Sequence, residues 1–90
     1  MSEAFQALLN EIVVLDTGGT TLYIGRLASH HAEGFWLEEA DVHHVDEGHA
    51  SREQYIAEAA RDGVRVNRRR VFVLRAGVIS MSALSDVMTG

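Results

Sequence analysis

The stretch Thr20-Thr21-Leu22-Tyr23-Ile24-Gly25-Arg26-Leu27-Ala28 decides how the rest of the chain is read. Leu22, Ile24 and Arg26 alternate with Tyr23, Gly25 and Leu27, the two-residue period of a strand that presents opposite faces. Glycine inside such a run marks a bend or the close approach of another backbone. The stretch therefore predicts a long strand that turns sharply at Gly25 and sends Leu27 inward.

Working outward, Val13-Val14-Leu15 is a β-branched strand signal, and Asp16-Thr17-Gly18-Gly19 after it is a tight turn in which glycine accepts positive φ. On the other side, residues 30–34 form a short polar loop and Phe35-Trp36-Leu37-Glu38-Glu39-Ala40-Asp41-Val42 a third strand, so strands two and three make a hairpin. Phe5, Leu8, Leu9 and Ile12 recur at helical spacing and predict an opening helix over residues 3–12, with Ser2 as N-cap. Ser51, three residues before Gln54, has capping-box spacing. Tyr55, Ile56, Ala59 and Ala60 follow at helical steps before Gly63, so residues 47–63 are expected to hold an inserted helix. Strand four runs from Arg68 to Arg75, Ala76-Gly77 turns the chain, and Val78–Leu84 is strand five. The expected fold is mostly β, one domain over residues 1–90: an N-terminal α-helix, then a strongly bent five-stranded antiparallel open barrel, with a helical insertion between strands three and four. A flat five-stranded sheet would leave one face uncovered.

Size and charge narrow the functions. Ninety residues of 9.9 kDa fold to roughly 5,200 Å² of surface from roughly 14,400 Å², burying about 64%. One small core fits, and it needs tight packing or partners. There is no cysteine, so disulfides, thiolate metal sites and cysteine nucleophiles are excluded. A net charge of −5 argues against nonspecific coating of nucleic acid. No apolar run reaches the ~18 residues of a membrane span. Met1-Ser2-Glu3-Ala4 has no basic leader, so a soluble, cytoplasmic protein is expected.

Two segments resemble the Sm and Sm-like family. Ile24-Gly25-Arg26-Leu27 matches the hydrophobic-Gly-x-Leu core of its first motif. Leu74-Arg75-Ala76-Gly77-Val78-Ile79 resembles the Ile-Arg-Gly-x-x-Ile of its second, with Ala76 in place of the first glycine. Element order agrees from about Glu3 to Leu84. The resemblance implies a homo-oligomeric ring of about five to seven subunits that binds single-stranded RNA at its pore, without catalysis, cofactor, metal, membrane or small-molecule substrate. It implies Arg75, Gly77, His30 and His31 as the RNA-binding residues. In the family the loop after strand two carries an aspartate and an asparagine flanking a residue that stacks on a base. Here His30 stands for the aspartate, Gly34 for the asparagine and Ala32 at the stacking position, which a one-residue shift gives to His31. A scaffold without RNA is the alternative role.

Other features compete for a function. Whichever of Phe35 and Trp36 points inward belongs to the core, and the other is open to serve as a base platform. Six of the eight arginines lie between Arg61 and Arg75. They follow Glu33, Glu38, Glu39, Asp41, Asp46, Glu47, Glu53 and Glu58. Arg65, Arg68, Arg69 and Arg70 are thus suited to phosphates or, as the better reading, to the acids of a neighbouring subunit. Val14-Leu15-Asp16-Thr17-Gly18 matches the aspartic protease string, for which one Asp16 from each of two subunits would share a proton, against the plainer reading as a hairpin turn. His43 or His44 with Asp46 and His49 is a candidate zinc set, against solvated loop imidazoles. Histidines near subunit contacts would instead make assembly sensitive to pH between about 5 and 7.

Overall fold

The computed structural model describes residues 3–45 and 51–89. The elements are α1 (Glu3–Leu8), β1 (Ile12–Asp16), β2 (Thr21–His30), β3 (Gly34–His44), α2 (Arg52–Asp62), β4 (Arg68–Leu74) and β5 (Ser80–Ala83). Short 3-10 turns cover Arg75–Gly77 and Leu84–Asp86. The strands form one antiparallel sheet in the order β4-β3-β2-β1-β5. Because β4 and β5 do not pair, the sheet curls without closing and both strands are left as edges. The expected mostly β, bent, five-stranded open barrel with a helix between strands three and four is the observed fold.

The opening helix is shorter than residues 3–12. Asn10 adopts φ 69°, and its N–H donates to the Leu27 carbonyl at 2.8 Å while Leu27 N–H donates to Glu11 at 2.9 Å. The chain thus joins the sheet before a third helical turn forms. Phe5, Leu8 and Leu9 pack on the core as expected. Ile12 instead begins β1 opposite Arg26 and is 43% exposed. The expected cap Ser2 lies outside the described residues. Strand five starts later than Val78 because the preceding 3-10 turn delays pairing until Ser80.

The bend lies where the glycine predicts it, and a partner irregularity completes it. A Cβ on Gly25 would sit 2.9 Å from the Ala40 Cβ and 3.0 Å from its Cα. Between the pairs Ile24↔Asp41 and Arg26↔Glu38 the β3 strand carries one extra residue, and Glu39 there takes φ 50°. A bulge of this kind bends the strand and shifts its side-chain parity. Hence Leu37 and Ala40, rather than Leu37 and Glu39, face the barrel interior, and Asp41 turns to the opposite side. A second register shift, between Leu27 and Ser29, adds a residue to β2.

Both faces of the sheet are used. The interior gathers Val13, Leu15, Leu27, Phe35, Leu37, Ala40 and Val73, with α1 against it. On the outer face Val14, Leu22 and Ile24 are covered by Tyr55, Ile56 and Ala59 of α2 and by Leu84. Each large side chain so buried contributes about 1.5–3 kcal/mol, so the inserted helix is a second half-core. Its start has the expected capping box: Gln54 N–H donates to Ser51 Oγ at 3.2 Å and Ser51 N–H to Gln54 Oε1 at 3.1 Å. Gly63 at φ 102° ends it, its N–H on the Ala59 carbonyl. Asp41, 2% exposed, accepts from the Tyr55 hydroxyl and from Asn67 Nδ2 at 3.1 Å. Asn67 also exchanges bonds with the Val42 backbone, tying the end of the insertion to β3. Among the described residues no helix is long and apolar enough to cross a membrane.

Candidate nucleic-acid interface

The β2–β3 loop is closed by reciprocal bonds between His31 and Gly34: the His31 N–H reaches the Gly34 carbonyl at 2.8 Å and the Gly34 N–H the His31 carbonyl at 3.3 Å. Gly34 lies so close to β4 that a Cβ would stand 2.2 Å from the Val73 carbonyl oxygen. The loop therefore sits against the far end of β4, where Arg75 follows.

Arg75 fastens this loop. Its backbone N–H donates to the Glu33 carbonyl at 2.9 Å, its Nε to Ala32 at 3.1 Å and its Nη2 to His31 at 2.5 Å. Three successive carbonyls of the loop are held by one residue. The guanidinium also lies 4.9 Å from the ring centres of both Phe5 and Phe35, where cation–π attraction restrains it further. Of the two roles open to a planar five-donor side chain at a turn, holding carbonyls is the one the geometry adopts, and the donors not used on the loop remain. Beside it a groove of about 330 Å³ runs between α1 and the start of β5, lined by Phe5, Leu8, Phe35, Val78 and Met81.

The other expected site residues are placed around that clamp. The His31 ring is exposed, bonded to Ser29 Oγ through Nε2 at 2.9 Å, and 6.2 Å from the Phe72 ring. His30 points to the opposite side, its ring 5.3 Å from that of Phe5. Gly77 is exposed in the 3-10 turn, with open space where a Cβ would be. Thus Arg75 and His31 meet at one junction, His30 approaches it from the α1 side, and Gly77 borders it. Phe35 is the inward aromatic, 2% exposed. Trp36 is the outward one, in edge contact with Phe72 at 5.1 Å and with the Arg70 guanidinium 4.0 Å over its ring. Ser29 and Phe72 were not marked by the sequence. Both are set beside Trp36 by strand register, Phe72 from β4 and Ser29 from β2.

The rival motifs are drawn into the structure elsewhere. Asp16 ends β1 and its Oδ1 accepts the Gly18 N–H at 2.8 Å, while Thr17 Oγ1 donates to the Thr21 carbonyl at 2.6 Å. The Asp-Thr-Gly string is a side-chain-capped hairpin turn, with Arg52 3.8 Å from the carboxylate. His43 stacks on Tyr55 at 3.6 Å, and His44 Nδ1 meets Thr21 Oγ1 at 3.0 Å. Asp46, Glu47 and His49 lie outside the described residues, and among the described residues no three His, Asp or Glu side chains are grouped to hold a metal. Several charges pair within the chain: Arg26 with Glu38, and Arg65 with Glu58 at 3.9 Å.

The chain matches no family model and no curated protein by sequence. In three dimensions it is similar to an Sm protein of Pyrococcus abyssii whose structure was solved in complex with a uridine heptamer. The two are 14% identical, with a TM-score of 0.60 over 90% of this chain and 93% of the other. The fold is Sm-like.

Proposed function

From the Sm-like fold as premise, we propose that this protein assembles copies of itself into a ring and binds single-stranded RNA at the junction of Arg75 with the 31–33 loop. The observation that carries the proposal is the set of hydrogen bonds from Arg75 to the His31, Ala32 and Glu33 carbonyls. It joins the second segment that resembles an Sm motif to the loop that follows the strand carrying the first. The structurally similar Pyrococcus protein holds a uridine heptamer, which favours RNA as the ligand class. Arg75 acts by positioning the loop and with its unused donors, His31 offers an exposed ring for stacking, and His30 and Gly77 border the bound strand. No catalytic step is assigned. The edges β4 and β5 supply the pairing surfaces of the ring, which exposed strand edges need.

A scaffold role without RNA is the second reading. It is favoured by Gly34, which puts no side chain where the family carries a base-reading asparagine. One experiment separates them: titration of short U-rich and A-rich oligoribonucleotides at several salt concentrations, with wild type and Arg75→Ala. RNA binding predicts saturable affinity that weakens with salt and falls about tenfold or more in Arg75→Ala. Absence of binding at low salt would leave the scaffold reading standing.

A further inference from the structure

Among the described residues, α2 covers the outer face of the sheet over Val14, Leu22 and Ile24 and over the Asp41–His43 end of β3, where Tyr55 meets both side chains. Over the Trp36–Glu38 part of β3 and over Arg70 and Phe72 of β4 no described helix lies, and the side chains there are not those of an ordinary solvated face. The register sets Trp36 opposite Phe72 and Glu38 opposite Arg70, with Ser29 and Arg26 alongside on β2. Two arginines, Arg26 on β2 and Arg70 on β4, thus flank the single carboxylate of this set, Glu38, in a chain whose total charge is −5. Glu38 is already paired with Arg26. Arg70 is exposed and lies over the indole, held where its outer side can stack on a base or contact a phosphate. The row is continuous with the loop junction, because the His31 ring stands 6.2 Å from Phe72 and Phe72 5.1 Å from Trp36.

We propose that the outer face of β3 and β4, from His31 across Phe72 to Trp36 and Arg70, is a second contact track for single-stranded RNA, occupied by the nucleotides that follow those held at the loop junction. The proposal rests on the RNA-binding reading above and names the path of the strand beyond that site. Interleaved aromatic rings and guanidinium groups on an open strand surface suit unpaired bases, since rings stack on any base and arginines meet the backbone.

Trp36 is the only tryptophan, so its fluorescence reports on this track alone. The full chain is titrated with oligouridylates of about 6 and about 12 nucleotides, following both Trp36 emission and the anisotropy of an end-labelled strand, for wild type, Arg70→Gln and Arg75→Ala. The longer oligomer is expected to quench Trp36 and to bind more tightly than the shorter. Arg70→Gln is expected to remove most of that length advantage, about tenfold for one lost stacked base, and Arg75→Ala to weaken both lengths. If both lengths bind equally, Arg75→Ala weakens them and Trp36 emission stays constant, the junction site stands and the track is overturned. If neither binds, both are overturned. Trp36 emission that changes with protein concentration but not with RNA would assign the patch to contact between copies and also overturn the track.

Discussion

A Cβ on Gly34 would lie 2.2 Å from the Val73 carbonyl oxygen and 2.9 Å from the Phe72 ring. This explains why the position aligned with the family's asparagine carries no side chain: β3 begins there, pressed against the end of β4. Gly34→Asn, which places there the asparagine that the Sm family carries at the position Gly34 resembles, is therefore expected to destabilise the fold by about 2 kcal/mol or more, since forced overpacking against backbone relaxes poorly. Urea unfolding of the variant against wild type measures it, and RNA affinity should fall with the β3–β4 pairing rather than improve. A variant of unchanged midpoint would show that β4 shifts freely. Gly25 was readable from its own strand, because a glycine inside a clean alternation has few other meanings. Gly34 was not, because the atom that forbids its Cβ belongs to Val73, far along the chain. Arg75 lies between: its position in a motif resemblance was visible, while its use on three loop carbonyls depends on where that loop comes to rest.

At the scale of the element, α2 was legible in its cap and its apolar steps, and its role was not. The capping box and the spacing of Tyr55, Ile56 and Ala59 are local properties. The acid they meet depends on a distant irregularity, the bulge at Glu39, which turns Asp41 away from the interior and toward the helix. In sequence Asp41 follows Glu38 and Glu39 and reads as one more solvated acid. The Tyr55 hydroxyl answers it, and burial first, then the hydrogen bond and charge of Asp41, push that hydroxyl well above the ordinary 10.0 of tyrosine. Tyr55→Phe is expected to destabilise the protein by about 1–3 kcal/mol at neutral pH, because it leaves a buried carboxylate short of a donor. The hydroxyl stays neutral in the folded chain but ionises near pH 10 when unfolded, so its contribution is complete below about pH 10 and is lost above it. Denaturation midpoints of wild type should therefore fall progressively as pH rises beyond about 10, and those of Tyr55→Phe should fall less. Equal alkaline losses in the two proteins would remove Tyr55 from the account. Ser51→Ala tests the helix start separately, with an expected cost of about 1 kcal/mol in the same unfolding measurement.

For the whole molecule, the meander of strands and the return of the chain beside β1 determine which strands become edges, and those are β4 and β5. A large apolar side chain stands at the end of each nearest their connection: Leu74, the last residue of β4, is 65% exposed, and Ile79, just before β5, is 70% exposed. Antiparallel pairing of β4 from one copy with β5 from the next brings the end of the first strand to the start of the second, and so Leu74 toward Ile79. The arginines at the start of β4 then lie toward the other end of β5, which leads into the 3-10 turn ending at Asp86, an acid suited to charge complementarity between copies. Leu74→Asp is a sharp test, because a side chain so exposed contributes little to the single chain while a carboxylate at a buried strand contact is costly. Light scattering at micromolar concentration should find wild type assembled and Leu74→Asp monomeric, with the monomer retaining the circular dichroism of the folded sheet. Wild type that stays monomeric would end the ring reading. A variant that assembles like wild type would move the contact off this edge. Assembly restored in Leu74→Asp by pairing it with Ile79→Arg would locate the two side chains against each other across the joint between copies.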